Sequence, residues 1–61
     1  MLCPQNGKVG LEVPLKTVKN FLTGRALVRL NPSSPHYLCQ DPACPVVYYG
    51  EEGVYTLGEV R

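Results

Sequence analysis

The chain has 61 residues, 44% of them hydrophobic, and its six basic and five acidic side chains leave a formal net charge of +1. This length predicts one small domain covering residues 1–61. Both signs of charge are scattered, which argues against nucleic-acid binding. No stretch approaches the ~20 apolar residues that a membrane-spanning helix needs, so we expect no membrane insertion.

A core this small needs additional stabilisation. Hydrophobic packing rarely leaves more than ~3–5 kcal/mol at this size, so disulfides, a metal or an oligomer are expected. The three cysteines cannot all pair within one chain. The opening residues have neither the basic segment nor the apolar run of a signal peptide. We therefore expect a cytoplasmic protein with reduced thiols.

The first third of the chain predicts a loop, a short strand and a helix. Cys3 lies among proline, asparagine and glycine residues, which favour turns. Residues 11–13 favour an extended segment because the residue before Pro14 is driven out of the helical region. Residues 14–22 predict a helix, since proline suits the first turn of a helix and the apolar residues recur on one face.

The apolar face of this helix defines the expected core. It consists of Leu15, Val18 and Leu22 together with Phe21. We expect the first three of these residues to pack on the sheet face that carries Val47, because one of the two adjacent valines should point inward.

The rest of the chain predicts one helical turn and a β-hairpin. A helical turn is expected at residues 25–30, and a surface loop with two prolines and two serines at 31–35. Strands are expected at 36–39, 45–49 and 54–57, with a four-residue turn at 50–53. The last four residues predict nothing specific.

Two of the cysteines flank a tight turn. Cys39 and Cys44 stand five positions apart around Asp41-Pro42, and a run of β-forming residues follows. Zinc binds thiolates at about 2.3 Å, and structural sites take four protein ligands. Two thiolates from one loop and a third from a distant turn, here Cys3, would suit such a site. The pattern therefore predicts bound Zn²⁺.

The three cysteines are also compatible with two metal-free roles. Free cysteines are often simply small core residues. Cys39 and Cys44 could also form a redox dithiol, although the usual redox motif has two intervening residues at a helix N-terminus. No nucleophile–base pair and no phosphate-binding glycine pattern is evident, so we do not expect an enzyme.

Two longer segments of the chain resemble the sequence pattern of a known protein family. Residues 13–22, VPLKTVKNFL, and residues 37–49, YLCQDPACPVVYY, resemble the N-terminal zinc-binding domain of CopZ-type copper chaperones. That family pairs a VPLxTVKxxL helix with a YxFCxxxxCxVVYF loop and strand, and it begins with a Cys-Pro-x-Cys pair. The resemblance extends from Cys3 to about Thr56. It implies a mononuclear zinc site, and Cys3, Cys39 and Cys44 fall on family cysteines.

The chain departs from the family pattern at Asn6, which stands where the second cysteine of the opening pair is expected. A fourth ligand could come from the Asn6 amide oxygen, from His36, or from water or another molecule at an open position. His36 and Cys39 are three apart on a predicted strand, so their side chains should point to opposite faces. We therefore place the open position first, His36 second and Asn6 third.

The resemblance also bears on function. Longer family members carry a 2Fe–2S cluster and a separate ferredoxin-like copper domain, but this chain lacks the Met-x-Cys-x-x-Cys copper motif. We expect a small zinc-binding accessory module related to metal (copper) handling, with a structural or metal-holding role. Its expected partner is a larger metal-handling protein or domain. The alternatives are a metal-free protein-interaction module and a thiol redox protein that uses Cys39 and Cys44.

The expected fold is small α+β. One helix should cover a short antiparallel β-hairpin or sheet, and a zinc-knuckle-like site should lie at one end.

Overall fold

The computed structural model describes residues 1–61 and contains one antiparallel sheet and two helices. The strands are β1 (Leu11–Val13), β2 (His36–Leu38), β3 (Val46–Gly50) and β4 (Gly53–Thr56), paired in the order β1-β2-β3-β4. The helices α1 (Leu15–Phe21) and α2 (Gly24–Leu27) lie between β1 and β2, and a 3-10 turn (Leu57–Glu59) follows β4. The predicted α+β class is therefore confirmed. No helix has the length and apolar character needed to cross a membrane.

The predicted helix forms with slightly shorter bounds. Pro14 is its extended N-cap rather than its first helical residue, with φ −64° and ψ 147°. At the other end Leu22 returns to an extended conformation and makes an isolated β-bridge with Val60. The predicted second helical turn corresponds to α2, whose Thr23 cap accepts a hydrogen bond from the Ala26 N–H.

The β-hairpin is tighter than the predicted four-residue turn. Gly50 pairs with Gly53, which leaves Glu51 and Glu52 as the two turn residues. Gly53 has φ +138°, a backbone conformation that favours glycine. The strand boundaries thus move by about one residue from those expected, which is the usual uncertainty of such assignments.

The core consists of two clusters that lie on opposite faces of the sheet. The first cluster, which we call the helix-side core, contains Val18, Leu22, Ala26, Tyr48 and Tyr55. The second, the thiol-side core, contains Cys3, Cys39, Val46 and Tyr49. Because successive strand residues point to opposite faces, the neighbours Tyr48 and Tyr49 belong to different clusters.

A β-bulge modifies the expected alternation in β3. The register with β4 shifts between Val46 and Tyr48, so one extra residue, Val47, stands in β3. Val47 is half-buried against the helix-side core, as is predicted for the helix-facing valine, while Val46 packs with the thiols. The bulge therefore places the sequence neighbours Val47 and Tyr48 on the same, helix-facing side and leaves Val46 on the thiol side.

Val18, Leu22 and Val47 pack together as predicted, whereas Leu15 does not join them. Val18 and Leu22 are buried in the helix-side core, and Val47 packs against it. Leu15 is only half-buried and belongs to neither cluster. It stands at the first position of α1, a full turn before Val18.

We expect Val18→Ala to lower the free energy of unfolding by about 1–3 kcal/mol, because it removes two methyl groups from a fully buried site. Val28→Ala is the matched control, since Val28 is 86% exposed and the same change should cost under about 0.5 kcal/mol there. Chemical denaturation of the zinc-loaded variants measures both. Equal losses at the two positions would contradict the packing described here.

Candidate metal centre

Three thiols from two distant segments meet on one face of the sheet. The sulfur atoms of Cys3, Cys39 and Cys44 all lie within 4.8 Å of one another. The Cys3 and Cys44 sulfurs are 3.9 Å apart, and all three thiols are free. Cys3 and Cys39 are buried, whereas Cys44 is half-buried. The structure therefore brings together the three residues that the sequence selected.

A tight turn presents Cys3. The Cys3 N–H donates to the Lys8 carbonyl at 2.8 Å, and the Gly7 N–H donates to the Cys3 carbonyl at 2.7 Å. Gly7 has φ +73°, in the left-handed region that glycine adopts without strain. An antiparallel bridge between Leu2 and Val9 closes this turn. The turn residues around Cys3 thus give the local structure that their composition predicts.

A buried tyrosine ties the Cys3 segment to the sheet. Tyr49 is fully buried, its ring stacks on Tyr37, and its hydroxyl donates to the Met1 carbonyl at 2.9 Å. Burial raises the pKa of Tyr49, which keeps this hydroxyl protonated. A side chain at Gly10 would overlap the Tyr49 hydroxyl, since its Cβ would lie 2.7 Å from the ring carbon Cζ.

The sequence predicts Tyr49 to be a core or cross-strand residue of a strand, but it indicates neither its bond to Met1 nor a role for Gly10. A partner 48 residues away leaves no local signal, and a glycine beside a strand is the only available hint of a close approach.

The loop after β2 presents the other two thiols. The Cys39 N–H donates to the Val47 carbonyl at 2.9 Å, which continues the pairing of β2 with β3. The Cys44 N–H donates to the Asp41 carbonyl at 3.0 Å, and the Asp41 carboxylate accepts from the Ala43 N–H at 3.0 Å. These bonds are the local turn chemistry that aspartate followed by proline favours.

The surroundings of the three sulfurs favour the thiolate form of Cys39. The backbone N–H of Asp41 lowers the pKa of Cys39 against the opposing effect of desolvation, and the Asn6 amide lowers it further. Burial raises the pKa of Cys44, and the neighbouring sulfurs add to this effect. Several thiolates this close would repel one another unless a cation lay between them.

The donor set fits zinc. Sulfurs bound to zinc at about 2.3 Å in a tetrahedron lie about 3.8 Å apart, close to the 3.9 Å between Cys3 and Cys44. Bound Zn²⁺ would offset most of the negative charge of the three thiolates and cross-link the Cys3 turn to the loop that carries Cys39 and Cys44. Thiolates also suit this metal better than they suit magnesium or calcium, which prefer oxygen ligands.

The side chain of Asn6 lies beside the thiols, but with its N–H groups toward them. Its oxygen accepts from the Lys8 N–H at 2.9 Å. Its nitrogen donates to the Cys39 sulfur at 3.4 Å and lies 3.5 Å from an Asp41 carboxylate oxygen. Because the Lys8 N–H can only donate, this bond fixes which amide atom is the oxygen. Asn6 is therefore placed as a hydrogen-bond donor to sulfur.

His36 lies away from the thiols, as the strand spacing predicts. It is buried, and its Nε2 is 2.7 Å from the Glu52 carboxylate. The Tyr55 hydroxyl donates to the same carboxylate at 2.6 Å. Burial opposes ionisation of Glu52, but the hydrogen bonds from Tyr55 and His36 prevail and lower the pKa of Glu52 to about 2. This network joins the hairpin turn to β2 and uses the only histidine.

The comparisons with known proteins agree with this geometry. The family model zf_CopZ, described as a zinc binding domain, matches residues 1–61. No curated protein and no solved structure gives a significant match. The matched family is a small metal-binding domain and not a known catalytic family. A whole-length match, together with a cluster of three thiols that fits zinc, shows that this chain belongs to the CopZ-type zinc-binding domain family.

Proposed function

We propose that residues 1–61 form one zinc-binding domain in which Cys3, Cys39 and Cys44 bind a single Zn²⁺ as thiolates. The observation that carries this proposal is the approach of all three sulfurs to within 4.8 Å. Two of them come from one loop and the third from a turn near the start of the chain. In this proposal the loop around Asp41 acts as a zinc knuckle, and α1 covers the opposite face of the sheet.

The proposed role of the metal is structural or metal-holding, not catalytic. The polar side chains nearest the thiols, those of Asn6, Lys8 and Asp41, are bonded to one another and to backbone groups. These bonds support a role in holding the metal and the local fold together.

We further propose that the module serves a larger metal-handling protein or domain in the cytoplasm, in the context of copper. Membership of the CopZ-type family supports this proposal. The near-neutral charge of the chain supports a protein partner rather than nucleic acid.

Zinc titration tests the proposed site. Protein purified without oxygen should bind about one zinc per chain in competition with a chromophoric chelator. Cys39→Ser should weaken binding on the order of 100-fold or more, because it removes a direct ligand. His36→Gln is the control, since glutamine can still donate to Glu52 and the affinity should stay within about twofold of the parent.

Two outcomes would favour the alternatives. A metal-free protein with a reversible Cys39–Cys44 disulfide would indicate a thiol redox role. A folded chain that neither binds zinc nor forms a disulfide would indicate a protein-interaction module.

A further inference from the structure

We infer that the fourth ligand of this metal centre is a thiolate supplied by another molecule, and that Asn6 supports the Cys39 sulfur instead of binding the metal. This inference rests on the proposed function, because it concerns the coordination of the zinc bound by the three cysteines.

The side chains of Asn6, Asp41 and His36 are already engaged in hydrogen bonds. The Asn6 oxygen accepts from the Lys8 N–H. One Asp41 carboxylate oxygen accepts from the Ala43 N–H, and the other lies 3.3 Å from the Lys8 ammonium. His36 is held on the opposite face by Glu52. No histidine, carboxylate or further cysteine joins the three sulfurs in a metal-binding group.

One corner of the cluster of three thiols faces solvent. Cys3 and Cys39 are 1% and 8% exposed, whereas Cys44 is half-buried. The residues on either side of it, Ala43 and Pro45, are exposed and small. A sulfur from another molecule can therefore approach next to Cys44 without displacing a packed side chain.

The hydrogen bond from Asn6 to sulfur favours an anionic incoming ligand. The Asn6 amide donates a hydrogen bond to the Cys39 sulfur, so a donor from the chain already points at the cluster. Donors of this kind stabilise an anionic sulfur-rich site more than a neutral one. Zinc readily accepts four thiolates in structural sites. Of the ligands that zinc takes, a thiolate is thus favoured over water or imidazole.

Cobalt substitution tests the inference. The full chain, kept reduced with a phosphine rather than a thiol, is loaded with one Co²⁺, and the sulfur-to-cobalt charge-transfer absorption is recorded during titration with N-acetylcysteine. A change from three to four sulfur ligands should raise this absorption by about one third. A parallel titration with imidazole should leave it unchanged.

Asn6→Cys is the matched variant, because it supplies a fourth thiol from within the chain. We expect it to show the higher absorption before any thiol is added, to give no response to N-acetylcysteine, and to bind zinc at least about tenfold more tightly than the parent. The parent titration decides the inference even if this variant fails to fold.

Additional measurements distinguish the source of the thiolate. A peptide with a single cysteine, compared with N-acetylcysteine at equal thiol concentration, separates a protein cysteine from a small thiol. Native mass spectrometry detects a second copy of this chain as the source, as two chains per metal.

Two results would overturn the inference. The first is a cobalt-loaded parent with one chain per metal that responds to no thiol, and the second is one that responds only to imidazole. Failure to bind any cobalt or zinc would instead overturn the proposed function.

Discussion

Removal of zinc is expected to unfold this domain. Only 11 of the 61 residues are buried, and they are divided between two clusters of five and four apolar residues, His36 and Gly50. A core of this size supplies no more than ~3–5 kcal/mol. Structural zinc in small domains contributes apparent binding free energies of ~10–16 kcal/mol. Two members of the thiol-side core are themselves proposed ligands, so loss of the metal would remove the cross-link that they make between the Cys3 turn and the loop after β2.

Circular dichroism before and after anaerobic chelation measures this effect. We expect loss of the strand and helix signal and of the cooperative thermal transition, both restored when zinc is returned. Chelator already saturated with zinc serves as the control. If the metal-free chain keeps its spectrum and its melting temperature, the metal has no structural role, whatever its affinity.

Gly10→Ala is expected to be the most damaging single methyl addition in the chain. The new Cβ would overlap the Tyr49 hydroxyl and lie 3.1 Å from the Tyr37 Cβ, and Tyr49 is fully buried with no space to retreat. Overpacking of this kind costs about 1–3 kcal/mol. The hydrogen bond from Tyr49 to the Met1 carbonyl would also be lost. Zinc affinity should fall with stability, because that bond fixes the segment that carries Cys3.

Gly58→Ala is the control, since nothing lies within 4 Å of a Cβ at that position. Chemical denaturation and zinc titration of both variants give the two effects. A double-mutant cycle with Tyr49→Phe isolates the clash, because removal of the hydroxyl should cost less in the Gly10→Ala background than in the parent. Additive effects of the two changes would show that Gly10 and Tyr49 do not interact.

The positions of the helix and of the thiols were predictable from local patterns. An apolar residue every three or four positions places Val18 and Leu22 on one helix face, and both are buried. Turn residues around Cys3 and around Asp41 likewise give the turns that present the sulfurs. The opposite orientation of His36 and Cys39 follows from the two-residue period of a strand.

The role of Asn6 was not predictable in the same way. Asn6 stands where the family pattern has a cysteine, which indicates a missing ligand. The sequence does not indicate whether the amide oxygen or the amide nitrogen faces the thiols. The orientation of the amide depends on the Lys8 N–H and on the Cys39 sulfur, which lies 33 residues away.

The contacts of the last residues were not predictable from local patterns either. The Thr23 N–H donates to the Glu59 carbonyl and the Arg61 N–H donates to the Phe21 carbonyl, and both bonds join distant parts of the chain.

The sequence by itself determined the elements, the two turns that carry thiols and the family of this chain, because each depends on residues close together or on a pattern along the chain. Only the tertiary structure decided which groups meet: the Tyr49 hydroxyl against Met1, the bulge that places Val46 with the thiols, and the donation by Asn6. These contacts join distant segments through shape and hydrogen-bond direction, which no local periodicity encodes.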